Sequence, residues 1–207
     1  MARRTKEDTE RTYHALLDAA ATLFTRQGVA KTTLEHIAAE AGVTRGAIYH
    51  RFDNKEMLVR ALWERDGVAL SDNLAKLAAQ ISASDPAGSF RVAVKGLLNN
   101  IVREPNLAQA IRIVIHNVEF TDEKTELQRY LANRKQSFLD AVEQAFEVLQ
   151  KRQVLTTPLP PGLLAFSLLS YLYGLIHNHL TPDGVTLDLS EAGDDLVDLF
   201  LDGLLRG

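Results

Sequence analysis

The chain of 207 residues contains no cysteine. A disulfide framework and a thiolate-bound metal are therefore excluded, and a reducing cytosol is compatible with this usage. Membrane-length apolar runs are also missing: the most apolar one, Leu163 to Ile176, is interrupted by Ser167, Ser170 and Gly174. The first residues are basic and lead straight into charged ones, without the apolar segment a secretory signal needs. There is no glycine-rich phosphate cradle, no nucleophile elbow and no HExxH pair, so neither an enzyme nor a cofactor is expected. Six histidines occur, but His177 and His179 are two apart and point to different sides of a helix. That spacing is a poor one for metal ligation, and no metal is expected. Convincing strand pairs and repeats are absent too, and an all-α chain is the expectation.

A surplus of positive charge is also lacking, since the formal net charge is −4. Its distribution matters more than its sum. Residues 1–60 carry ten Lys and Arg against eight Asp and Glu, leaving 13 against 19 in the remainder. The N-terminal cations fall in two places: Arg3, Arg4 and Lys6 in an arm, then Arg45, Arg51 and Lys55 around one short segment. An acidic body behind a basic reading surface is compatible with DNA, because affinity depends on local phosphate neutralisation.

That segment is Thr32 to Lys55. Thr32 followed by Glu35 has the spacing of a capping box, and Leu34, Ile37, Ala38 and Ala41 form one apolar stripe. Gly42 is placed for a left-handed helix end. Thr44 then reads as the N-cap of a second short helix, with Val43 stapling against Ile48. Two short helices around a glycine turn form a helix-turn-helix pattern, whose second helix enters the DNA major groove. Arg45, Tyr49, His50 and Arg51 supply donors and rings, while Gly46 and Ala47 leave the opening turn bare for close approach. An ordinary helical hairpin with a solvated basic face fits the same spacing.

The residues themselves decide between these. The run IAAEAGVTRGAIYHRF, with Lys55 three residues after Phe52, resembles the DNA-binding signature of the TetR family of bacterial transcriptional repressors. MARRTKEDTERT, IHNVEFTDE and YLYGLIHNHL are similar to the AcrR-like branch, which represses multidrug efflux pumps. The resemblance implies a cytoplasmic homodimer on a palindromic double-stranded operator, released by a small hydrophobic inducer. DNA contacts are then expected from Thr33, Thr44, Arg45, Gly46, Tyr49, His50 and Lys55. Arg45 suits guanine edges or phosphate, and Thr33 and Lys55 suit backbone phosphates. Arg51 stands where much of the family has histidine, and keeps a permanent charge for phosphate.

Around this segment, Tyr13, Leu16, Leu17, Ala20, Leu23 and Phe24 give a supporting first helix ended by Gly28, after a mobile arm over residues 1–8. Asp53 with Glu56 reads as the capping box of a continuous helix through Leu58, Leu62, Leu70, Leu74, Leu77 and Ile81. Asp85-Pro86 and Pro105 start further helices, Thr121-Asp122-Glu123 caps a long one, and residues 156–162 form a proline-rich loop. About nine helices result. A three-helix head over 1–53 is expected to join a ligand-binding and dimerisation body over 54–207.

The last two helices, Leu163 to Leu180 and near Leu189 to Leu205, would meet their copies in a C2 dimer. The resemblance also implies an inducer pocket in the body. Facing stripes nominate Val94, Leu97, Leu98, Ile111, Ile115, Phe138, Val142, Leu169, Leu172 and Tyr173, for each of which core packing is the alternative. Related repressors place polar groups at the positions of Ile111 and Ile115 and an acid at that of Tyr173. A more apolar pocket with Tyr173 as its polar handle is therefore expected here. His116 reads either as a pocket polar group or as a structural hydrogen-bonding residue.

Overall fold

The 3.6-residue spacing of apolar side chains becomes helix throughout. The computed structural model describes residues 6–118, 125–181 and 187–206. Among them are ten α-helices: α1 (Lys6–Gln27), α2 (Leu34–Glu40), α3 (Arg45–Tyr49), α4 (Lys55–Asp66), α5 (Val68–Ala75), α6 (Pro86–Arg103), α7 (Pro105–Arg112), α8 (Glu126–Lys151), α9 (Pro161–Leu180) and α10 (Leu189–Asp202). A 3-10 turn at Ala78–Gln80 and a π-helical turn at Ile113–Asn117 complete the set. No strand occurs among the described residues beyond an isolated bridge between Leu155 and Leu205.

By contact the chain resolves into two units, residues 1–67 with 109–130, and residues 68–108 with 131–207. The division at Gly67 lies one helix later than the expected boundary between 53 and 54, because α4 packs on α1 and buries Leu58, Val59, Ala61, Leu62 and Trp63. In the first unit, Leu16, Leu17, Leu23 and Phe24 of α1 are buried with Ile37, Ile48 and Phe52. Burying each such side chain is worth roughly 1.5–3 kcal/mol.

Several expected helix boundaries move. Thr33, not Thr32, caps α2 by accepting the His36 N–H. Thr32 is fully buried, and its hydroxyl donates to Gly28 O at 2.8 Å. Asn54, not Asp53, caps α4 by accepting the Met57 N–H at 3.0 Å. The continuous helix expected from 53 to 81 breaks at Gly67, raising the helix count from about nine to ten. A Cβ there would lie 2.8 Å from the Trp63 ring and 2.9 Å from Trp63 O, so the packed indole requires glycine at the break. The cap expected at Thr121-Asp122-Glu123 lies outside the described residues. Within them, Thr125 and Gln128 exchange hydrogen bonds as the reciprocal capping box of α8. The arm expected over 1–8 is already helical from Lys6, and Arg3 and Arg4 lie outside the described residues.

In the second unit, α6 buries Phe90, Val94, Leu97, Leu98 and Ile101 and packs on α10. Gly193 lets the two helices close, its missing Cβ falling 3.3 Å from Leu98 Cδ2. Arg91 pairs with Asp198 at 2.7 Å and Asp202 at 2.8 Å, and Lys95 adds Asp198 at 2.7 Å. Tyr171 joins α9 to α10 by donating to Leu196 O at 2.9 Å and stacking on Phe200.

Candidate nucleic-acid interface

The geometry of α3 follows from its two ends. α2 finishes with Gly42 at φ +65°, where its N–H donates to Ala39 O and the Val43 N–H returns to Ala38 O at 2.9 Å. This Schellman closure turns the chain sharply and sets Thr44 as N-cap, its hydroxyl oxygen accepting the Ala47 N–H at 3.3 Å. Ile48 alone of α3 is buried. It pins the helix inward and leaves Thr44, Arg45, Gly46, Tyr49 and His50 exposed. Apart from its chain neighbours and its own helix backbone, nothing lies within 4 Å of where a Gly46 Cβ would be, so the surface beside it is open.

Two of the nominated residues, Tyr49 and Arg45, converge on one carboxylate, that of Glu35, which the spacing alone places in a cap. Tyr49 donates its hydroxyl to Glu35 Oε1 at 2.6 Å, and the Arg45 guanidinium lies 3.0 Å from the same oxygen. Arg45 also sits over the Tyr49 ring, 5.3 Å from its centroid. The Tyr49 hydroxyl first, then the Glu35 backbone, Thr33 and Arg45, hold the Glu35 carboxyl below the usual carboxylate range. With Thr33 as the α2 cap, Glu35 is the second residue of the helix, and its carboxylate touches that helix start while also reaching α3. Its exposed position on α2 was visible in the pattern, but its partners were not.

The other nominated cations do different work. Lys55, the first residue of α4, donates to Val29 O at 2.7 Å and Ala30 O at 2.9 Å. A cation opposes the dipole at a helix start, and here two carbonyls of the loop after α1 offset that. Arg51 donates to Thr9 O at 2.7 Å and lies 5.8 Å from the Tyr13 ring centroid. Tyr13 in turn stacks on Phe52 at 5.7 Å. Arg51, expected to face phosphate, is thus a fastening between α1 and the end of α3.

The nominated inducer residues are divided between the two units. Ile111 and Ile115 belong to the first unit and the other eight to the second. Val94, Leu97, Leu98 and Val142 are buried. Tyr173, expected as a polar handle, is 54% exposed and stacks on His177. Register explains this, since Leu164, Ala165 and Leu168 form the buried face of α9, whereas Tyr173 lies two turns from exposed Phe166. The second unit also holds a small apolar cavity of about 100 Å³ lined by Leu175, Asn178, His179, Leu187 and Leu189.

Comparison with known proteins fits this arrangement. Residues 16–62 match the bacterial regulatory proteins of the tetR family, and residues 85–205 match the C-terminal region of MAATS-type transcriptional repressors. The chain belongs to the TetR family. Within it, the HTH-type transcriptional regulator TtgR of Pseudomonas putida is 35% identical over 191 residues, covering 90% of this chain and 89% of TtgR. NalD, the secondary repressor of the MexAB-OprM multidrug efflux pump in Pseudomonas aeruginosa, superposes with a TM-score of 0.81 at 29% identity. That match spans 97% of this chain and 99% of NalD. SmeT, repressor of the SmeDEF multidrug efflux pump of Stenotrophomonas maltophilia, matches in its triclosan complex with a TM-score of 0.78 at 25% identity. Here 94% of this chain and 92% of SmeT are covered. The family's helix-turn-helix therefore corresponds to α2 and α3, and its members are transcriptional regulators. Among the described residues no helix is long and apolar enough to cross a membrane.

Proposed function

We propose that this TetR-family chain is a ligand-responsive repressor of a multidrug efflux pump operon in the bacterial cytoplasm, released from a palindromic operator by a small hydrophobic inducer. The observation that carries the reading is α3, which buries Ile48 alone and exposes Arg45, Gly46 and Tyr49 in a segment that matches the tetR-family regulatory proteins. Thr44, Arg45, Gly46, Tyr49 and His50 are the proposed groove residues, with Thr33 and Lys55 beside backbone phosphates. Arg45 has the fork geometry for guanine O6 and N7, and the bare Gly46 surface admits a close backbone.

A homodimer would place two copies of α3 on two half-sites. Support comes from α9, which presents Leu163, Phe166 and Tyr173 outward, with Leu199 on α10, an apolar face suited to a second copy. For the inducer, an aromatic, weakly polar molecule such as triclosan is the class suggested by the SmeT complex. Such a ligand acts by binding the DNA-incompetent state more tightly than the competent one. Within the second unit, Val94, Leu97, Leu98, Phe138, Val142, Leu169 and Leu172 are its proposed lining.

A gel shift on the DNA upstream of the chain's own gene tests this. Wild type should bind it in preference to scrambled DNA, Arg45→Ala should lose roughly 10- to 100-fold of that affinity, and triclosan should release the complex. Equal, weak binding of wild type and Arg45→Ala/Tyr49→Ala to both DNAs would overturn the repressor reading.

A further inference from the structure

We infer that Glu35 is a specificity-determining residue, an internal anion that masks Arg45 and Tyr49 from the phosphates of non-operator DNA. The inference rests on the reading of α3 as the DNA-contacting helix. Glu35 reaches α3 from a different helix, and one carboxylate oxygen serves both side chains, at 2.6 Å from Tyr49 Oη and 3.0 Å from Arg45. The N-cap of α2 is Thr33, which leaves Glu35 within reach of both its own helix start and α3. Arg45 is 73% exposed and Glu35 41% exposed, so the pair adds little to folding and breaks readily. An acid kept beside the proposed recognition cation must therefore be judged by what it does to incoming DNA.

The two kinds of DNA acceptor meet this carboxylate differently. A phosphate is anionic, so it must displace Glu35 from Arg45 and is then repelled by it across a few ångströms. A guanine edge is neutral and offers O6 and N7 together to the guanidinium fork. Glu35 thus penalises phosphate pairing more than base pairing. Random sequence offers mainly phosphate, whereas the operator adds the matched base, and specificity is the difference between the two affinities.

Glu35→Gln tests this, since it keeps the shape and an acceptor for Tyr49 while removing the charge. Binding to an upstream duplex selected by wild type, and to a scrambled duplex of equal length, is read by fluorescence anisotropy across a salt series. Expected is a rise of about fivefold in affinity for the scrambled duplex, the limit for an exposed pair. The salt slope should steepen by about 0.9, one further phosphate contact. Operator affinity should change less than twofold, so discrimination falls. In Glu35→Gln/Arg45→Ala the gain on scrambled DNA should disappear, which a merely structural role would not produce. Unchanged affinity for scrambled DNA, equal weakening on both duplexes, or the same gain without Arg45 would overturn the inference while leaving the repressor reading intact. A wild type that shows no preference for the upstream duplex overturns both.

Discussion

Each unit sets arginine against carboxylate, but in different surroundings. In the first, Arg45 and Tyr49 share one oxygen of Glu35 on an open surface, and Ile48 alone anchors their helix. In the second, Arg91 and Lys95 of α6 share Asp198 of α10, with Arg91 also held by Asp202. There the side chains of Arg91 and Lys95 are only 23% and 21% exposed, along a helix pair closed by Gly193 against Leu98. Partial shielding from water strengthens an ion pair, and fixed helices reduce the entropy lost in forming it. Similar chemistry thus serves folding in one unit and remains available to a partner in the other.

The largest expected effect separates these roles. Asp198→Ala removes the carboxylate that holds Lys95 and leaves Arg91 with Asp202, and should lower stability by about 1–2 kcal/mol. Urea unfolding read by circular dichroism checks this, with Arg45→Ala as the contrasting case, expected within about 0.5 kcal/mol of wild type as an exposed surface change. Similar destabilisation by both would erase the distinction between the clusters.

The sequence pattern reveals what is local and leaves open what a neighbour decides. Gly42 and Thr44 were legible because a left-handed helix end and a side-chain N-cap involve residues within a few positions. Thr32 and Thr33 both suit a cap, however, and the choice is settled by Gly28 O, which takes the Thr32 hydroxyl. That one-residue shift makes Glu35 the second residue of α2, from where it reaches Tyr49 and Arg45, so the Glu35–Tyr49–Arg45 cluster was invisible to spacing. The break at Gly67 was hidden for a related reason. One glycine within an apolar stripe is compatible with helix, and only the Trp63 ring against it marks the interruption. Tyr173 shows the limit of stripes on a helix apolar nearly all round, since such a pattern does not say which side faces inward.

Lys55 sharpens the comparison because it lies in the first unit yet resembles the second cluster. Its ammonium is spent on Val29 O and Ala30 O, tying α4 to the loop after α1. Lys55→Met keeps the aliphatic stem and removes both bonds. Stability should fall by about 1 kcal/mol, the usual net worth of such bonds, measured by urea unfolding of the free protein. A Lys55→Met protein as stable as wild type but weakened on DNA would make this lysine a pure phosphate contact.

The smallest effect is one of pH, and it addresses the second cluster in isolation. The hydrogen bonds from Lys95 and then Arg91 hold the Asp198 carboxyl below its ordinary value of 3.8. A group whose pKa is lower folded than unfolded binds more protons when unfolded, so its contribution to stability is complete above 3.8 and is lost as pH falls through the folded value. The Glu35 carboxyl is likewise held down, from 4.5, by Tyr49 first. Its contribution is therefore complete above 4.5 and begins to fade at a higher pH than that of Asp198. Urea midpoints taken from pH 6 downward should fall less steeply below about pH 4 in Asp198→Asn than in wild type. Glu35→Gln should depart from wild type by less, because its partners are exposed and water replaces them readily. A larger flattening in Glu35→Gln than in Asp198→Asn would mean that the open cluster stabilises the fold more than the shielded one, and the contrast between the units would be reversed.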